Sequence, residues 1–227
     1  MWWLMVAAAM AAFPVPDRPY VSRSGALVKK NTLELELGYR YLNQSQVPAT
    51  LKYSIAGAVE ARVESNLSGV GSNAPDLLAG AKIKLFRKDR RSLALWAASG
   101  IPVGDEQWRG ELHALFTTLL TDRSGLRVNT GIDFVGGSSV GFGGVPVNVA
   151  VTYHPIKRFG LIAEAAGAVG TPGCEDLVCV YGNVQAQGGI RGRITDLLVV
   201  DVSGGYSFEF DAPFAGVGFT SNFGRVE

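Results

Sequence analysis

The chain has 227 residues with 21 basic and 20 acidic side chains, and a net charge of +1 gives no reason to expect nucleic acid or an anionic surface as partner. Glycine is frequent at 29 residues and charge sparse at 18%, and the mean hydropathy is positive, yet no run of about 18 apolar residues exists to make a membrane-spanning helix. An apolar composition spread over short alternating pieces instead suits a barrel that crosses a membrane with strands.

Met1 to Phe13 is the only long apolar run and is too short to span a bilayer as a helix. It has the character of a secretory signal, with Ala9, Met10 and Ala11 as a small-residue cleavage site, so residues 1–11 are expected to be removed. A buried helix or an uncleaved anchor is the competing reading, since the basic start of a signal is missing. Residues 12–30 are irregular: Pro14, Pro16, Pro19 and Gly25 preclude a continuous ladder, and the segment is expected to lie in the periplasm or along a lumen wall.

The first strand, Thr32 to Leu42, places Leu33, Leu35, Leu37, Tyr39 and Tyr41 on one face and Glu34, Glu36, Gly38 and Arg40 on the other. A polar loop is expected over Asn43 to Pro48. Ala49 to Ile55 then sets Leu51, Tyr53 and Ile55 against Lys52 and Ser54, and a turn at Gly57 leads to Ala58 to Asn66, with Glu60, Arg62 and Glu64 opposite Val59, Ala61 and Val63. After the Gly/Ser/Asn loop at 68–75, Asp76 to Phe86 carries Lys82 and Lys84 on its polar face. The charged turn Arg87 to Arg90 returns the chain through Ser92 to Ile101. Following a loop at 102–110, Glu111 to Thr121 sets Glu111 and His113 against Leu112, Ala114 and Phe116. Leu126 to Val135 sets Arg127, Asn129 and Asp133 against Val128 and Ile132. Gly136 to Gly144 reads as a glycine-rich loop. Val145 to Pro155 and Gly160 to Val169, with Glu164, form the next hairpin. Val180 to Arg193 (Arg191 and Arg193), Leu198 to Phe208 (Asp201) and a last strand ending at Phe223 complete the set, leaving 224–227 as a short tail.

About 12 strands result, with short turns on one side and mostly longer loops on the other, as in outer-membrane barrels whose short turns are periplasmic. No amphipathic helix is available to cover a sheet face, so the repeated apolar faces are expected to meet outer-membrane lipid. A soluble sandwich or lipocalin-like barrel, with its apolar faces packed inward on each other, is the alternative. The expected fold is therefore an all-β, transmembrane antiparallel barrel over 31–223. Tyr39, Tyr41, Phe134, Tyr206 and Phe208 fall near the loop ends of their strands and Phe86, Tyr153, Phe159, Phe219 and Phe223 near the turn ends, which suits two aromatic girdles. Phe223 also resembles the terminal aromatic by which the barrel-assembly machinery recognises such chains.

In such a barrel Glu34, Glu36, Arg40, Lys52, Glu60, Arg62, Glu64, Lys82, Lys84, Arg127, Asp133, Glu164, Arg191, Arg193 and Asp201 would face the lumen. They would either line a polar path for a small solute or pair across strands as a structural network. The near balance of their signs argues against strong ion selectivity. Cys174 and Cys179, an even count in an exported chain, are expected to form a disulfide in one loop. Two thiols without a nearby histidine make no metal site, and no cofactor motif is present. His113 has no neighbour with nucleophile spacing, so no enzyme is expected.

Asp17-Arg18-Pro19, then Leu33 to Tyr39, then Pro48-Ala49-Thr50-Leu51-Lys52-Tyr53, together with Asp76, Gly80-Ala81-Lys82 and Ile101-Pro102-Val103-Gly104, resemble the outer-membrane transporters grouped as the "MetA-pathway of phenol degradation" family. The resemblance runs from about Asp17 to Phe223. It implies an outer-membrane barrel and passive passage of small, hydrophobic or aromatic solutes. A non-conducting barrel that binds partners through its extracellular loops is the competing function.

Overall fold

The computed structural model describes residues 23–24, 26–55, 57–68, 76–101, 108–136, 140–169, 184–208 and 210–223. The proposed signal at 1–11, Cys174, Cys179 and the tail at 224–227 lie outside the described residues. All regular structure among the described residues is strand: β1 (Leu33–Leu42), β2 (Gln44–Ile55), β3 (Val59–Ser68), β4 (Asp76–Lys88), β5 (Arg91–Ile101), β6 (Trp108–Leu119), β7 (Ser124–Gly136), β8 (Val140–Ile156), β9 (Phe159–Val169), β10 (Gln185–Arg193), β11 (Leu198–Ser207) and β12 (Ala212–Phe223). Each strand pairs antiparallel with its sequence neighbours, and β1 pairs with β12 from Leu33↔Phe223 to Tyr41↔Ala215, closing a twelve-stranded barrel. Closure gives every strand two partners and removes the free edges at which an open sheet would aggregate.

The period-two pattern decides which face points where. On β1, Glu34 and Glu36 are buried inside while Tyr39 and Tyr41 are exposed outside. The same holds on β2 for Lys52 against Leu51 and Tyr53, and on β8 for Asn148 and Thr152 against Val147, Val149 and Val151. The barrel thus buries its charges and exposes its aliphatic residues, the inverse of a soluble protein. A soluble barrel would place Leu51, Ile83 and Val149 in its core, and all three are instead exposed. Aromatic residues cluster at both rims of this apolar belt: Tyr39, Tyr41, Phe142, Tyr206 and Phe208 at the loop end, Tyr53, Phe86, Tyr153, Phe219 and Phe223 at the turn end.

Two local expectations are corrected. The polar stretch Asn43 to Pro48 is not a loop, because β2 begins at Gln44, directly opposite Leu42, and Asn43 alone makes the reversal with φ of 56°. Asparagine tolerates that left-handed conformation, and Pro48 is accommodated because the β1–β2 ladder is interrupted between Leu37↔Ala49 and Arg40↔Gln46. The glycine-rich stretch is largely strand: β7 runs to Gly136 and β8 starts at Val140, with a bulge at Asp133/Phe134 that uses the positive φ of Gly144. At these two reversals the strands extend further than the sequence suggests.

Candidate functional site

The interior wall is the candidate site, and it divides into two regions of different charge. On β1 to β4, acids and bases alternate across strands in register. Glu34 is the direct partner of Lys52, and Glu36 lies two residues along on the same face. A single ammonium group can therefore reach both, and Lys52 Nζ lies 2.9 Å from Glu34 Oε1 and 2.6 Å from Glu36 Oε1 with all three side chains buried. Glu60 faces Lys82 in the β3–β4 ladder at 3.0 Å, and Arg62 reaches Glu64 at 2.6 Å. Charges this deep are retained only when paired, and the register supplies the pairs.

Residues 23–32 enter this region from the turn end. Asn31 and Thr32 bond to the backbone of Ser54 and Lys29, so the segment joins the wall where β1 begins. Further in, the Val28 N–H donates to Glu60 Oε2 at 2.8 Å, and Lys82 Nζ donates to the carbonyls of Ser24 and Ala26 at 3.2 and 3.0 Å. Arg23 anchors the segment most deeply. Its guanidinium forks onto Glu64 at 3.0 and 3.2 Å, meets Glu111 at 2.9 Å and lies 4.8 Å over the ring of Trp96. Of the segment before β1, the described residues 23–24 and 26–28 lie against this interior wall.

Trp96 is fully buried among Leu78, Ala94 and Leu115, and its Nε1–H donates to Glu111 Oε2 at 2.7 Å. His113, its cross-strand partner, lies 2.6 Å from Asp133 Oδ1 and 3.4 Å from Arg23. Gly131 makes this placement possible, since a Cβ there would stand 2.2 Å from the Leu112 carbonyl and 2.5 Å from the His113 ring. On the remaining wall, Gln187 donates to Glu164 at 2.5 Å and Arg191 faces Asp201 in the β10–β11 ladder. Arg40 bonds Gln185 at 2.8 Å and stacks 3.9 Å over Phe214. Lys84 donates to the Gly57 carbonyl at 2.6 Å, and Arg193 pairs with Asp196 in its own turn at 2.5 Å.

The second region is a cavity of about 670 Å³ at the turn end, bounded by β4 to β11 and by Ser24 and Ala26 of the entering segment. Its lining carries Arg87, Arg90, Arg91, Arg123, Arg127, Lys157, Arg158, Arg191 and Arg193 against only Asp89 and Asp122. The interior charges balance in number but not in place: β1 and β3 each carry two carboxylates, Glu34 and Glu36, Glu60 and Glu64, while basic side chains crowd the turn-end mouth. Arg23, Trp96 and the turn arginines are the site residues that sequence reasoning missed. Arg23 sits in a segment with no periodicity, and the turn residues read as solvated charge.

The sequence matches no family model and no curated protein. In fold, the chain is similar to the KdgM porin, with a TM-score of 0.68, 10% identity and coverage of 84% of this chain and 99% of that one. It is similar to the NanC porin at a TM-score of 0.64 and 10% identity, over 83% and 98% of the two chains. An outer membrane channel of Pseudomonas putida F1 aligns at 0.64 and 11% identity, over 87% and 97%.

Proposed function

We propose that this chain is a passive channel for small solutes in the outer membrane of a bacterium with two membranes. The observation that carries the reading is a closed barrel with an apolar belt outside, charge inside, and an interior only partly filled. Barrels of about eight strands are packed solid by their side chains and those of about 16 hold open water channels, so twelve leaves room that something must occupy or pass through. The fold likeness to porins supports the same reading. The motif resemblance adds hydrophobic or aromatic solutes as candidates, and the charged interior adds the requirement for a polar group on the solute. No reaction is part of the proposal: His113 is held between Asp133 and Arg23 as a member of the interior network.

A second reading, an electrically silent barrel acting through its loops, is favoured by one observation. Arg23, Ala26 and Val28 are tied to the interior residues Glu60, Glu64, Lys82 and Glu111. Single-channel recording separates the two. The full chain refolded into a planar bilayer is expected to show discrete conductance steps. A chain lacking residues 14–30 is expected to show larger ones, and Arg23→Met an intermediate, noisier level. Insertion of both the full and the shortened chain without conductance would refute the channel.

A further inference from the structure

We propose that the turn-end cavity is a binding site for a small, soluble polyanion carrying phosphate or carboxylate groups, and that it makes the channel anion-selective. The inference rests on the channel reading for its second half only. Nine basic side chains line the cavity against two acidic ones, of which Asp122 pairs with Arg90, and Arg193 and Arg191 face Asp196 and Asp201. Basic residues in turns have an ordinary explanation, since they meet lipid headgroups and water at a membrane surface. That explanation does not reach Arg127, Arg191 and Arg193. They lie on strands, at positions whose side chains point inward, and Arg127 is buried.

The local construction opens the space these residues face. Gly160 is the register partner of Arg191, and the His154 ring lies across it, 2.8 Å from where a Cβ would be. Gly125, opposite Thr152, leaves that hydroxyl 3.0 Å from its own Cβ position. A cleft of one sign with low-dielectric walls concentrates counter-ions by about 10-fold or more. Guanidinium groups add fork-shaped donors that match phosphate and carboxylate oxygens two at a time.

The test uses the full chain with two readouts. In a bilayer of zwitterionic lipid under a potassium chloride gradient, chloride is expected to be preferred over potassium by about 10-fold at low salt. That preference should fall towards unity at about 1 M, where the Debye length is only about 3 Å. In detergent micelles, inorganic diphosphate is expected to bind by titration calorimetry. Arg127→Gln with Arg191→Gln should weaken binding by 10-fold or more, and Arg87→Gln with Arg123→Gln, at the rim, serves where the strand variant fails to refold. Conduction without anion preference would overturn the inference and leave the channel standing. Diphosphate binding that is lost in the variants, from a barrel that does not conduct, would support the site and sink the channel. Absence of diphosphate binding would overturn the site. Full competition by phosphatidylglycerol in mixed micelles would assign the cavity to lipid headgroups and overturn a soluble ligand.

Discussion

Removing the ammonium group of Lys52 tests whether the β1–β4 charges are a structural network. Lys52→Met keeps most of the side-chain volume and leaves Glu34 and Glu36 facing each other, two residues apart on one strand, without the cation that lay 2.9 and 2.6 Å away. All three side chains are at most 1% exposed, so water does not replace the lost partner. Breaking a buried pair from one side costs about 3–5 kcal/mol, because an uncompensated charge is left behind. With a urea dependence of about 1–3 kcal/mol/M, the midpoint of unfolding from liposomes should fall by roughly 1–5 M. A triple variant, Lys52→Met with Glu34→Leu and Glu36→Leu, removes the charges together and should recover most of the loss, since replacing a whole buried ion cluster by apolar residues is often near neutral. Tryptophan fluorescence during urea titration reads both. A single variant within about 0.5 M of the parent would refute the reasoning, because the two carboxylates would then be hydrated in the folded barrel.

Two further perturbations address the outer face and the close packing of the interior. Val149 is exposed at the middle of β8 and pairs with Val128 and Ala165, so Val149→Arg should cost about 2–4 kcal/mol in a bilayer. An unchanged unfolding midpoint would show that this face does not meet lipid. Gly131→Ala puts a methyl group against the Leu112 carbonyl and the His113 ring, and overpacking of this kind costs about 1–3 kcal/mol. The His113 resonances in an NMR spectrum should shift as its contact with Asp133 is displaced, and an unshifted ring would refute the packing argument.

The barrel itself was legible because its signal is additive. Leu33 to Tyr41, Leu51 to Ile55, Val59 to Val63 and Val147 to Tyr153 each alternate weakly, but the alternation recurs from strand to strand and no helix competes for the apolar faces. The strand ends were less legible, for reasons particular to the residues. Asn43 to Pro48 is polar and ends in proline, and both features usually mark a loop. Its identity as strand depends on a gap in the β1 ladder that only the pairing reveals. Gly141 to Gly144 has too little side-chain contrast to alternate at all, and its strand state follows from pairing with β7.

The same dependence on register explains why the interior charges were identified individually but their arrangement was not. A tally of inward residues treats the lumen as one compartment, whereas Coulomb energy falls with distance and water screens what remains. Position around the barrel is the missing variable. Glu34, Glu36 and Lys52 pair on β1 and β2, while Arg127, Arg191 and Arg193 stand on β7 and β10, at the turn end of the other side. Sorting the charges by strand, which the sequence permits, separates the paired wall from the basic mouth. The two regions then have distinct physical tasks. The paired wall holds residues 23–24 and 26–28 through Glu60, Glu64, Lys82 and Glu111, and Arg23 brings a cation to a group of partners in which carboxylates outnumber bases. The segment thus occupies the β1–β4 side, and the space left beside it is the one lined by the turn-end basic residues.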